Sequence, residues 1–187
     1  FSVLDKEGNR IAATMSINFP FGSGFMAPGT GVLLNDEMDD FSAKPGVPNV
    51  YGLVGGEANA IAPGKRPLSS MTPTFLEDKR GVAILGTPGG SRIISMVLLA
   101  TLDYAAGHEP ESWVTLPRYH HQFLPDAVQY EPGALSGELV TGLERMGHKL
   151  EPLEQPYGNM QAVFWDRRNR TVKATSDPRG IGQAQVR

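Results

Sequence analysis

The chain has 187 residues, 40% of them hydrophobic, which suits one domain with a real core or one subunit of a larger body. A formal net charge of −3 supplies no basic face for nucleic acid, and no apolar run of about 18 residues exists to span a bilayer. The absence of cysteine excludes disulfides, thiol chemistry and cysteine-based metal sites, without deciding the compartment.

In chain order, residues 1–4 and 11–17 read as two strands. The hairpin turn between them takes its positive φ angles from Gly8 and Asn9. A glycine-rich loop over residues 19–31 leads into "NDEMDDF" at 35–41, where Asp36, Glu37, Asp39 and Asp40 crowd four acids into five positions. Residues 45–56, "PGVPNVYGLVGG", form a long irregular segment of the kind that serves as a lid. The proline-fenced stretch "APGKRPLSSMTPT" follows. Residues 82–85 are a short buried strand, and "GTPGG" at 86–90 passes into a strong helix over 91–106 that Gly107 stops. A short helix over 109–115 has Pro110 in its first turn, and an amphipathic helix over 134–146 ends at Gly147. Residues 160–165 and 171–175 make a final hairpin around "DRRNR". Strands, then helices, then strands indicate an α+β layering rather than an alternating parallel sheet.

Several stretches carry chemistry, each with an ordinary reading beside it. The two glycines of "GTPGGSR" stand at a helix N-terminus, where backbone N–H groups and the helix dipole suit a phosphate, a carboxylate or an oxyanion. The Lys-Ser/Thr of a nucleotide-binding loop is missing, so that reading is rejected, and an empty tight turn remains the competing one. Ser69 and Ser70, between Pro67 and Pro73, fit either a carboxylate site or a plain serine-rich loop. His120 and His121 are adjacent and would point opposite ways in an extended segment, while His108 and His148 sit near helix ends. No metal site and no cofactor is expected, and no serine–histidine–aspartate triad can be assigned. The acidic run is either a solvated turn or a site for a cation or ammonium.

The order of these stretches is more specific than any one of them. "NDEMDDFSAKPGVPNVYGLVGGEANAI", "GKRPLSSMTPT", "GTPGGSRI", "PRYHHQFLPD" and "SDPRG" together resemble the small subunit of bacterial γ-glutamyltranspeptidases, over nearly the whole chain. The resemblance implies an N-terminal-nucleophile hydrolase with a four-layer αββα sandwich. It also implies that residues 1–187 are one unit, the small catalytic subunit of a self-processed heterodimer, completed by a separate large subunit. In that family a threonine at the start of the small subunit attacks the γ-glutamyl amide with its own α-amine as base. The acyl group then passes to water or to an amino acid or peptide amine. The family's opening pattern places that threonine three positions before Phe1.

The same resemblance assigns the site residues. Asn18, Glu37 and Asp40 would hold the glutamyl α-amino group, with Asp36 and Asp39 structural or solvated. Ser69 and Ser70 would hold the α-carboxylate, joined by an arginine of the large subunit. Gly89 and Gly90 would form the oxyanion hole with their backbone amides. Ser16 matches the hydroxyl residue, usually threonine, that supports the nucleophile. Tyr51 would latch the lid to Asn18. A periplasmic or extracellular location comes with the resemblance. Two competing readings follow: a glutaryl-cephalosporin acylase-like amidohydrolase, which a full Asn18, Glu37 and Asp40 set disfavours, and a non-catalytic γ-glutamyl-binding subunit.

Overall fold

The computed structural model describes residues 1–187. The chain divides into two compact units, one built from residues 1–14, 71–122 and 126–187, the other from residues 15–70 with 123–125.

In the first unit, β1 (Ser2–Leu4) and β2 (Arg10–Ala12) form an antiparallel ribbon. After residue 70 come β3 (Thr74–Glu77) and β4 (Gly81–Gly86), then α1 (Arg92–Ala105) and α2 (Pro110–Thr115). Next are β5 (Tyr119–His120), β6 (Val128–Tyr130), α3 (Gly137–Arg145) and β7 (Leu150–Pro152). The hairpin β8 (Gln161–Asp166) and β9 (Thr171–Ser176) ends the regular structure. The main sheet has the order β3-β4-β8-β9, antiparallel throughout, and a smaller sheet has the order β5-β6-β7.

The run Val82-Ala-Ile-Leu85 lacks alternation because β4 is covered on both faces. Ala83 and Leu85 pack with Ala162 and Phe164 against Ile93, Met96, Val97 and Ala100 of α1 and Trp113 of α2. Val82, Ile84 and Val163 face the other way, against Leu4 and Ala12 of the ribbon. Tyr104, Trp113 and Phe164 meet edge to face, with ring centroids 5.3–6.2 Å apart. Trp113 is fully buried, and its Nε1–H donates to the His108 carbonyl at 2.9 Å, so this large side chain leaves no orphan donor.

Three expectations shift. Asn9 does not take a positive φ; only Gly8 does, at 87°. Asn9 is instead held by Asp5, whose carboxylate accepts its N–H at 2.8 Å and its side-chain amide at 2.7 Å. The second strand ends at Ala12 rather than at residue 17, since its partner β1 pairs only Ser2–Leu4 with Arg10–Ala12; further on, Ser16 Oγ accepts the Asn18 N–H at 2.7 Å. The amphipathic helix begins at Gly137 rather than at residue 134, where Ser136 accepts the Leu139 N–H at 3.2 Å as its N-cap.

Candidate functional site

The acidic stretch folds into a single 3-10 turn, Glu37–Asp40. Its four acids divide into two pairs. Asp36 accepts the Phe19 N–H at 3.0 Å and Asp39 accepts the Val50 N–H at 3.4 Å, so both fasten neighbouring loops. Glu37 and Asp40, three apart on the turn, bring their carboxyls within hydrogen-bonding reach of each other. Neither takes part in an ion pair, unlike Glu77, Asp78, Glu131 and Asp177 elsewhere in the chain. Burial and then the Asp40 charge push the Glu37 carboxyl above its ordinary range. Asp40 is also raised, chiefly by burial; a hydrogen bond from Glu37 offsets part of this. Two half-buried acids are thus pressed together with no cation of the chain to balance them.

Asn18 stands beside this turn in the left-handed conformation, φ 68°, which asparagine tolerates better than most residues. Three bonds hold it there. Its N–H is taken by Ser16, its side-chain amide donates to the Asp36 carbonyl at 3.3 Å, and its own carbonyl accepts from the Tyr51 hydroxyl at 3.3 Å. The Asn18 Oδ1 remains as an acceptor. Burial, followed by the charges of Asp40, Asp36, Asp39 and Glu37, raises the Tyr51 phenol and keeps it protonated as a donor. Its ring lies 6.4 Å from that of Phe19. The segment carrying Tyr51 is a closed loop: Pro48 bridges Val54, and Asn49 Oδ1 accepts both the Tyr51 and Leu53 N–H groups.

Ser69 is exposed and Ser70 half-buried. A residue not singled out in the sequence ties their loop to the acids. Asn59 donates its side-chain amide to the Asp40 carbonyl at 2.8 Å and accepts the Leu68 N–H on Oδ1 at 3.0 Å. An asparagine ending the short 3-10 turn Glu57–Asn59 gives no sequence signal for a bridge between two distant segments, so only the folded chain reveals it.

Gly89 and Gly90 belong to the other compact unit, in the turn between β4 and α1. Gly89 has φ 146° and Gly90 φ 59°, both outside the range of ordinary side chains. A Cβ on Gly89 would lie 2.6 Å from the Met96 Cε. The carbonyls of the pair accept the Arg92 and Ile93 N–H groups of the first helical turn, whereas their own N–H groups donate to no other group of the chain. A helix N-terminus with two free amides is a ready receptor for negative charge.

Two of the histidines are held by side-chain bonds within the chain. His120 is buried and bonded to Ser95 Oγ at 2.6 Å and Gln122 at 2.8 Å, with burial lowering its pKa. His121 points the other way, to Asp126 at 2.9 Å.

A family model described as γ-glutamyltranspeptidase matches residues 1–186. The chain belongs to the γ-glutamyltranspeptidase family. It is 46% identical over 185 residues to the glutathione hydrolase proenzyme of Escherichia coli, covering 97% of this chain and 31% of that protein. The chain therefore spans about a third of the length of such curated relatives. Among solved structures, γ-glutamyltranspeptidase from Pseudomonas nitroreducens complexed with L-DON superposes with a TM-score of 0.90 at 44% identity, covering 100% of this chain and 97% of that one. A cephalosporin acylase from Bacillus halodurans reaches 0.82 at 25% identity, covering 98% of this chain and 33% of that one. The fold is the α+β N-terminal-nucleophile hydrolase fold, whose αββα layering is represented in the first unit by the β3-β4-β8-β9 sheet with α1 and α2 on one face.

Proposed function

We propose that the γ-glutamyltranspeptidase chain forms the small subunit of an enzyme that cleaves γ-glutamyl amides, glutathione among them, and passes the γ-glutamyl group to water or to an amino acid or peptide amine. The observation that carries this reading is the Glu37–Asp40 pair, two raised carboxyls without a cation of their own. An α-ammonium has three N–H donors, and Asn18 Oδ1, Glu37 and Asp40 offer three acceptors. Binding it would replace repulsion between two acids by attraction to a shared cation.

The rest of the assignment follows the same donor. Ser69 and Ser70 take its α-carboxylate, with an arginine of a large subunit from the same precursor. The γ-carbonyl carbon is attacked by the hydroxyl of a threonine three positions before Phe1, and Ser16 supports that hydroxyl. As the tetrahedral centre forms, its oxyanion draws on the Gly89 and Gly90 amides, which are already turned away from the chain's own acceptors. The amine leaves with a proton, and the ester is then opened by water or by an acceptor amine. Tyr51 holds the 45–56 loop shut over the site and limits the entry of water. A periplasmic or extracellular location of the assembled protein is part of this reading. No helix of this chain is long and apolar enough to cross a membrane.

The acylase reading differs in one group, since a glutaryl donor has no α-amine to meet Glu37 and Asp40. The test is turnover by the complete two-chain protein of γ-glutamyl anilide against glutaryl anilide, with and without an amino acid acceptor. Preference for γ-glutamyl, with acceptor products, is expected. Preference for glutaryl, or glutamate binding without anilide release, overturns the reading.

A further inference from the structure

Recognition of a glutamyl group requires an ammonium site and a carboxylate site at one fixed separation, because both groups sit on the same carbon. In this chain the two sites come from separate loops, the 3-10 turn ending at Asp40 and the loop carrying Ser69 and Ser70. Between them lies a short 3-10 turn, Glu57–Asn59, and Ala60 beyond it bridges Ser42. The Asn59 side chain, at the end of that turn, ties both loops, with Nδ2–H donating to the Asp40 carbonyl and Oδ1 accepting from Leu68, one residue before the serine pair. Its backbone adds a third tie, since the Asn59 carbonyl accepts the Ser42 N–H at 2.9 Å just beyond the acidic turn. Space beside Ser42, the partner in this third tie, is tight. A Cβ on Gly55 would fall 1.8 Å from Ser42 Oγ and 3.7 Å from Asn59 Nδ2.

We propose that Asn59 is a positioning residue that sets the separation between the ammonium-binding and carboxylate-binding halves of the glutamyl site. This rests on the functional reading above. The Asn59 side-chain bonds go to the Asp40 carbonyl and the Leu68 N–H, main-chain groups outside the set assigned to the ligand. It needs both a donor and an acceptor on one short planar group, a demand that asparagine meets and that alanine or aspartate does not. Its loss should therefore weaken ligands that engage both halves and spare those that engage one.

The experiment measures inhibition constants of three small ligands on the complete two-chain protein: L-glutamate, which has both α groups; glutarate, which lacks the α-amine; and 4-aminobutyrate, which lacks the α-carboxylate. In Asn59→Ala, two lost hydrogen bonds should raise the glutamate constant about tenfold, with glutarate and 4-aminobutyrate within about twofold of the parent. Asn59→Asp keeps the acceptor for Leu68 and the side-chain shape but sets a second acceptor against the Asp40 carbonyl. It should show the same selective loss, and it decides the matter alone if the alanine protein does not mature. An equal change for all three ligands, or no change for any, overturns the proposal. If the parent protein neither binds glutamate nor releases γ-glutamyl anilide, the functional reading has failed instead, and the two failures are separable.

Discussion

Glu37 and Asp40 are costly residues to place together. Each loses water on folding, Glu37 also faces the Asp40 charge and Asp40 the charges of Asp39 and Asp36, so both carboxyls keep their protons to higher pH than isolated ones. In the proposed site such a proton would compete with an incoming ammonium. Glutamate affinity should therefore rise with pH through the raised Glu37 range, and Glu37→Gln should flatten that rise. The inhibition constant of glutamate measured across the acid range checks both outcomes. Stability runs the other way. Folded Glu37 binds its proton more tightly than unfolded Glu37, so its contribution is complete below the unfolded pKa and is lost as pH rises through the folded one.

At the scale of an element, the β4–α1 turn combines backbone freedom with close packing. Gly89→Ala would bring a Cβ against Met96 and force φ 146° on a residue that resists it. If the Gly89 and Gly90 amides meet charge only as it develops, kcat should fall on the order of a hundredfold with KM within about twofold. Steady-state kinetics with γ-glutamyl anilide separates the two constants. The 45–56 loop makes a different prediction. Tyr51→Phe removes the hydrogen bond to the Asn18 carbonyl and keeps the ring beside Phe19. The loop should open more often, and the ratio of transfer to hydrolysis should drop, read from product partition at a fixed acceptor concentration.

Across the whole chain, the largest buried charge network lies in the first unit. Arg118 and Glu131 are each 1% exposed, as is Asp177, and Arg179 completes the set. Asp177 accepts from Arg118 at 2.6 Å, from the Met160 N–H at 3.0 Å and from the Arg179 N–H at 3.0 Å. Arg118 also donates to the Tyr157 and Val114 carbonyls. The network links the segment before β5, the end of β6, the approach to β8 and the chain after β9. Burial pushes the Asp177 carboxyl up, but these N–H donors and the Arg118 guanidinium outweigh it and hold the pKa down. Its stabilisation is therefore present above the unfolded pKa and lost as pH falls through the folded one. Asp177→Asn leaves Arg118 without its counter-charge and should cost about 3–5 kcal/mol, seen as a lower denaturant midpoint and a shallower acid-side decline.

The sequence alone determined the elements that carry their own signals. The all-apolar run of β4, the Pro110 start of α2, the Gly107 stop after α1 and the β8–β9 hairpin are local facts of composition and spacing. The order of the long motifs was enough to identify the family. Short pairings were illegible, because β5, β6 and β7 have two or three residues each and exist only through their partners. The serines and acids stood out by type, and only the family resemblance, nothing local, set Glu37 and Asp40 apart from Asp36 and Asp39. The physical ground for that division is tertiary: Asp36 and Asp39 accept N–H groups from distant loops, while Glu37 and Asp40 lie beside each other. The bridge through Asn59 was invisible for the same reason: its two bonds span 19 and 9 residues, and only the folded chain brings those ends within reach.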